Sequence, residues 1–171
     1  MTPDQLRTAL QKECWEHGAR LRVYGRAHIM AAAFYDRIQL VLGLPTAILA
    51  AIAGFSGLLD NALLAGAIAL VVACLSAAAT FVRPGQRVTD HTVAARGFSR
   101  LFQLYFDLAR IQIPSASSSD LPALRKKVRI LEEQDEVRLD SRPFVSERFM
   151  KRAGDEWEIE KRSERFRLPS A

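Results

Sequence analysis

Between Leu40 and Val82 the chain reads "LVLGLPTAILAAIAGFSGLLDNALLAGAIALVVACLSAAATFV", with Asp60 as its one charged residue. No other feature restricts the fold so tightly. A bilayer's hydrocarbon core is about 30 Å thick, and a helix rising about 1.5 Å per residue crosses it with about 20 apolar residues. Residues 38–59 and 62–82 each reach that length. Asp60–Asn61 between them is a turn pair, and either residue can cap the second helix. The pattern predicts a two-helix transmembrane hairpin whose tip barely leaves the membrane. The alternative is a buried hairpin in a soluble bundle, but a chain of 171 residues has little left to wrap two such helices.

The remaining charge lies at the two ends. Residues 1–37 carry six basic and four acidic side chains, and residues 83–171 carry eighteen and fourteen. Neither end is a bare polycation, so nucleic acid is not the expected partner. A formal net charge of +5 beside an apolar block suits anionic lipid headgroups better. Arg20, Arg22, Arg26 and Arg37 precede the first span and Arg83 and Arg87 follow the second, while the tip has no Lys or Arg. By the positive-inside bias both termini are expected in the cytoplasm. The N-terminus lacks the basic lead and short apolar run of a cleavable signal peptide. Cys14 and Cys74 form no disulfide or zinc pattern, which fits a reducing compartment.

Each span has a face of small residues. On the first, Gln39, Gly43, Thr46, Ala50, Ala53 and Gly57 recur every three or four positions; on the second, Ala62, Gly66, Ala69, Ala73, Ser76 and Thr80 do so. Small residues let membrane helices approach closely. Two readings follow from composition. Either the stripes pack on each other and nothing passes, or hairpins gather in a ring and one stripe lines a pore. In a pore the first span is expected to be the lining, with Gln39 and Thr46 as its better hydrogen-bonding groups and Arg37, Arg83 and Arg87 as charge at the inner mouth. Pro45 can kink that span.

Outside the membrane the pattern is helical throughout. Thr2-Pro3-Asp4-Gln5 reads as a helix start with Thr2 as cap. Leu10, Cys14, His17, Leu21, Tyr24, His28, Ala31, Tyr35, Ile38 and Leu42 make a seam that runs on into the first span. After a bend at Pro84-Gly85, Val88, Ala95, Phe98, Phe102, Tyr105 and Leu108 mark an amphipathic helix to about Ile113. "PSASSSDLP" over residues 114–122 reads as a linker. A helix with Leu124, Val128 and Leu131 follows, then a break at "DSRPFVS" and a charged helix with Phe149 and Trp157. The expected domains are a two-span unit at 1–113, a linker at 114–122 and a cytoplasmic helical tail at 123–171. The fold class expected is all-α, with cytoplasmic helices extending from both spans.

No catalytic, metal-binding or nucleotide-binding motif is present. His17, His28 and His91 are the only histidines. His17 and His28 could meet their counterparts in another subunit, or serve as hydrogen-bonded core residues. The acidic run Glu132–Glu136 reads as a solvated face, with cation binding as the sharper alternative. "RKKVR" at Arg125–Arg129 fits lipid headgroups, a phosphate ligand or a plain solvated face. The chain is expected not to be an enzyme, and to need no cofactor and no metal.

The arrangement resembles the SLATT family, two-transmembrane effector domains that occur with bacterial nucleotide-second-messenger synthetases. The resemblance rests on Trp15 in a basic and aromatic N-terminal helix, on "YDRIQLVLGLPTAILAAIAGFSG" (Tyr35–Gly57), on "LSAAATFVRPGQRVTDH" and on "AARGFSRLFQLY". It covers about residues 10–112. It implies an oligomeric pore-forming effector of an antiviral defence system in the bacterial inner membrane. The partners implied are the lipid bilayer, further copies of the chain, and a separate sensor or nucleotide synthetase. The competing expectation is a membrane-anchored helical scaffold that recruits a partner through its tail and conducts nothing.

Overall fold

A computed structural model describes residues 2–58 and 62–162, leaving aside the side chains of Gly57 and Leu58. Among these residues every regular element is a helix. They are α1 (Pro3–Leu58), α2 (Ala62–Val82), α3 (Pro84–Asp107), a π-helical turn (Leu108–Gln112), α4 (Ile113–Ser115), α5 (Leu121–Asp140) and α6 (Glu147–Glu160). α1 starts where the sequence indicates. The Gln5 amide N–H donates to Thr2 Oγ1 at 3.3 Å, and the Thr2 N–H donates to Gln5 Oε1 at 2.9 Å, a reciprocal cap. α1 continues through Pro45 without a break in its helical assignment. The expected Asp60–Asn61 turn lies outside the described residues.

The chain divides into two compact units, one of residues 1–30 with 91–171 and the other of residues 31–90. The expected linker at 114–122 falls inside the first of these units. The reason is the apolar stripe of α5. Val128 and Leu131 are buried in the same core as Leu10, Cys14 and Leu21 of α1 and Phe98, Leu101, Phe102 and Tyr105 of α3. The tail is therefore part of a helical body rather than a free arm. α6 adds Ala153 and Trp157, whose ring lies 6.2 Å from that of Trp15 and 6.5 Å from that of Phe102. Two ion pairs tie α6 to α1: Arg22 to Glu160 at 3.1 Å and Arg26 to Glu156 at 2.7 Å.

The π-helical turn solves a phase problem in this body. Inserting one residue into the helical repeat lets Leu108, Ala109 and Ile113 all turn inward. The distorted backbone is not left bare, since Gln11 Nε2 donates to the Ala109 carbonyl at 3.0 Å. Arg7 Nη2 likewise donates to the Ala116 carbonyl at 2.9 Å, beyond the end of α4. Asp120 occupies the N-cap position of α5, but its side chain makes no capping hydrogen bond. Its carboxylate instead accepts from the Ser117 hydroxyl and backbone N–H.

The second unit is built differently. None of α2 is buried, and the most apolar windows of α1 and α2 are uncovered. In α1 the more covered positions are Tyr35, Ile38, Leu42, Thr46, Leu49, Ala53 and Ser56; in α2 they are Ala65, Ile68, Val72, Leu75, Ala79 and Val82. Both sets recur every three or four residues, one narrow stripe per helix. Large apolar side chains stand out elsewhere, with Leu63 89%, Leu70 68% and Phe81 88% exposed. A helix that is apolar all round and uncovered is stable in lipid, not in water. Both helices are long and apolar enough to cross a membrane.

The chain turns at Arg83, directly after α2 and one residue before the expected bend. Its φ of 46° is left-handed, a conformation that costs a non-glycine residue roughly 1–2 kcal/mol. Pro84 disfavours a right-handed helical conformation in the residue before it, and itself opens α3 as a first-turn proline.

Candidate functional site

The faces of the two long helices are the part of the molecule whose chemistry is unusual. On α1 the sequence groups Gln39, Gly43, Thr46, Ala50 and Ala53 on one stripe. The structure divides that stripe. Thr46 and Ala53 fall on the half-covered side, whereas Gln39, Gly43 and Ala50 are exposed. The covered stripe is centred about 60° round the helix from the small one, given about 100° per residue. The Thr46 hydroxyl already donates to the Leu42 carbonyl at 2.6 Å, just beside Pro45. Gln39 lies beside Gly85, with its Oε1 3.3 Å from where a Cβ on Gly85 would stand. The surroundings of Gly57 lie outside the described residues.

On α2 the division is complete. Gly66, Ala69, Ala73, Ser76 and Thr80 are all exposed, and the covered stripe consists mainly of the larger Ile68, Val72 and Leu75. A Cβ added at Gly66, or at Gly43 of α1, would meet nothing within 4 Å. The two small stripes therefore do not pack on each other within one chain. The hydroxyls of Thr46 and Thr80 are satisfied within their own helices, Thr80 Oγ1 donating to the Ser76 carbonyl at 2.9 Å.

Of the three arginines expected at one mouth, Arg37, Arg83 and Arg87 are all exposed. Arg87 is held in place. Its Nε donates to the Val82 carbonyl at 3.2 Å, one of the carbonyls that the end of α2 leaves without a helical partner. Its Nη1 donates to the Tyr35 hydroxyl at 3.1 Å, with the guanidinium 5.3 Å from the centre of that ring. The end of α2, the start of α3 and Tyr35 of α1 are thus fastened by one side chain.

No protein-family model, curated protein or solved structure matches this chain.

A second polar constellation lies in the helical body, and sequence reasoning missed it. Asp135 is fully buried and accepts from Arg20 Nη2 at 2.6 Å. His17 stands between two carboxylates, 3.6 Å from Asp135 Oδ2 and 3.5 Å from Glu132 Oε1, and stacks on the Tyr105 ring. Burial pushes the Tyr105 phenol well above its ordinary range, and Asp135 adds to the shift. Burial also raises Glu132, with the charge of Glu13 next in size. Cys14 beside them is pushed up to about 12 by burial and then by Glu13 and Glu132, so its thiol stays protonated and unreactive. The run Glu132–Glu136 is thus not simply a solvated face. Asp135 sits four residues after Leu131 and seven after Val128, on the apolar stripe itself, and that register was the available signal. Arg125, Lys126, Lys127 and Arg129 are exposed, and Lys127 Nζ donates to Gln112 Oε1 at 2.9 Å. Among the described residues no group of three or more His, Cys, Asp or Glu side chains could hold a metal.

His28 and His91 meet in the same body. They are 0% and 2% exposed, and their Nδ1 atoms lie 2.9 Å apart. The sequence assigns His28 either to another subunit or to an unspecified partner in the core; the partner is His91 of the same chain. His91 stands three residues after Val88 and four before Ala95, on the apolar stripe of α3, just as His28 stands on the seam of α1.

Proposed function

We propose that this chain is an oligomeric pore-forming effector of the bacterial inner membrane. The observation that carries the reading is the open small-residue face of α2 on a helix with no buried residue. α1 and α2 cross the bilayer as an antiparallel hairpin, packed through their half-covered stripes. The free stripe of Gly66, Ala69, Ala73, Ser76 and Thr80 then receives a second copy, since backbones can approach closely there and lipid fills such a face poorly. Both termini lie in the cytoplasm, on the side of Arg37, Arg83 and Arg87. The ring those arginines form at the inner mouth disfavours cations.

The division of the α1 stripe changes which helix meets the neighbour. With Thr46 half-covered and Gln39 beside Gly85, α2 is the better self-association face and α1 contributes Gly43 and Ala50. The likeness to SLATT effectors supports a role in antiviral defence or nucleotide second-messenger signalling, with a separate sensor or synthetase as the trigger. No catalytic step is assigned to the chain. The scaffold reading would have to recruit through the exposed faces of α5 and α6, because their apolar stripes are buried in their own unit.

The test pairs assembly with effect. Gly66→Leu adds bulk where backbones meet, and it is expected to weaken self-association about tenfold, or about 1.4 kcal/mol. Mass measurement in nanodiscs across protein concentrations reads this directly. In cells that carry the trigger, the parent chain is expected to collapse the membrane potential and Gly66→Leu to spare it. A parent that stays monomeric at every concentration overturns the proposal.

A further inference from the structure

We propose that the His28–His91 pair is a proton-sensitive latch that holds α1 to α3 at neutral pH and releases them in mild acid. Nothing in this inference requires the chain to conduct. It concerns the end of the helical body where the chain leaves for residues 31–90, two residues after His28 and one before His91.

The neutral pair has two hydrogen-bonded arrangements, one with each ring as donor. Two Nδ1 atoms at 2.9 Å form a hydrogen bond only if one carries a proton and the other is bare. Charging His28 puts a proton on both its nitrogens. Its Nε2 is buried and has no hydrogen-bond partner, so the N–H that the charged ring carries there has no acceptor. Charging both rings sets two N–H groups against each other across the same 2.9 Å. The packing around His28 is aromatic. Phe98 of α3 stacks on His28 with ring centres 5.4 Å apart, and Tyr24 of α1 packs on Phe98. A cation also acts on His28: Arg142, from the segment after α5, lies over the Tyr24 ring at 4.2 Å and opposes a proton on His28. Asp90, next to His91 in the chain, is exposed.

The closed pair therefore takes up a proton later than the open one. Burial first, then His91, then Arg142 lower His28 from the ordinary 6.5 to about 4. A base whose closed-state pKa is depressed contributes full stability above its ordinary value and loses it as pH falls toward the depressed one. The window is thus about pH 6.5 down to about 4, and closure is complete on the neutral side. Between pH 7 and pH 5 the ratio of open to closed is expected to rise roughly twentyfold.

Hydrogen exchange on the full chain in nanodiscs, corrected for the intrinsic effect of pH, reads the opening. Protection at residues 24–30 and 91–98 is expected to fall roughly twentyfold from pH 7 to pH 5, while residues 10–21 and 101–109 change by less than about threefold. In the double variant His28→Asn/His91→Asn an amide pair replaces the rings and does not titrate, so this loss is expected to disappear. Should that variant fail to fold, the three imidazoles of the parent can be followed by NMR, with one expected to titrate near 4. Equal loss of protection across the whole body, an unchanged pH response in the double variant, or ordinary titration of all three histidines would each overturn the latch.

Discussion

Leu70→Arg is expected to remove the chain from the membrane. Leu70 lies near the middle of α2 and is 68% exposed in the structure. An arginine at the centre of a spanning helix costs roughly 2.5–3.5 kcal/mol on insertion scales, or about a hundredfold in the inserted fraction. The guanidinium cannot snorkel to either surface from that depth without dragging the helix out of register. If α2 lay in water, the same substitution on an exposed position would change stability by no more than about 0.5 kcal/mol and improve solubility. The two environments thus predict opposite outcomes for one residue. The amount of chain that resists alkaline extraction from membranes reads the difference, with Leu70→Ala as a control that should remain inserted.

Phe98→Ala is expected to have the largest effect on the helical body. Phe98 is 1% exposed, and its ring lies against those of Tyr24 and His28. Removing a buried phenyl ring costs about 3–5 kcal/mol, because the transfer loss is joined by the cavity left behind. Against a total stability of about 5–15 kcal/mol this is a large share. The unfolding midpoint of the body should fall by roughly 10–20 °C. Phe144→Ala is the matched control. That ring is 87% exposed, and its loss should leave the midpoint nearly unchanged.

The helices are legible from sequence because their signals are local. The Thr2–Gln5 cap, the Leu10-to-Leu42 seam and the break at residues 140–146 depend on residues within one or two turns. What stays hidden depends on register between distant helices. The small stripes of α1 and α2 look like mates when each is read alone, because smallness is what a close contact needs. The structure instead covers the stripe of Ile68, Val72 and Leu75, where larger side chains fill the space between helices. Composition along one helix does not say which of two adjacent faces turns inward. Asp135 and His91 escape notice for a related reason. A polar residue on an apolar stripe looks like an interruption until its partner is known, and Arg20 and His28 lie 115 and 63 residues away. Within the expected linker at 114–122 only residues 116–120 are irregular backbone, and they lie inside the first unit. A short unstructured segment separates domains only if the elements after it have a core of their own, and α5 shares that of α1 and α3.

Release of a trapped dye from liposomes containing the purified chain tests the central claim most directly. Release should begin only above the concentration at which oligomers appear by mass, and it should vanish for Leu70→Arg and weaken for Gly66→Leu. A chain that inserts and assembles fully yet leaves the dye inside, with the trigger supplied, would contradict the account and return the two spans to the role of an anchor.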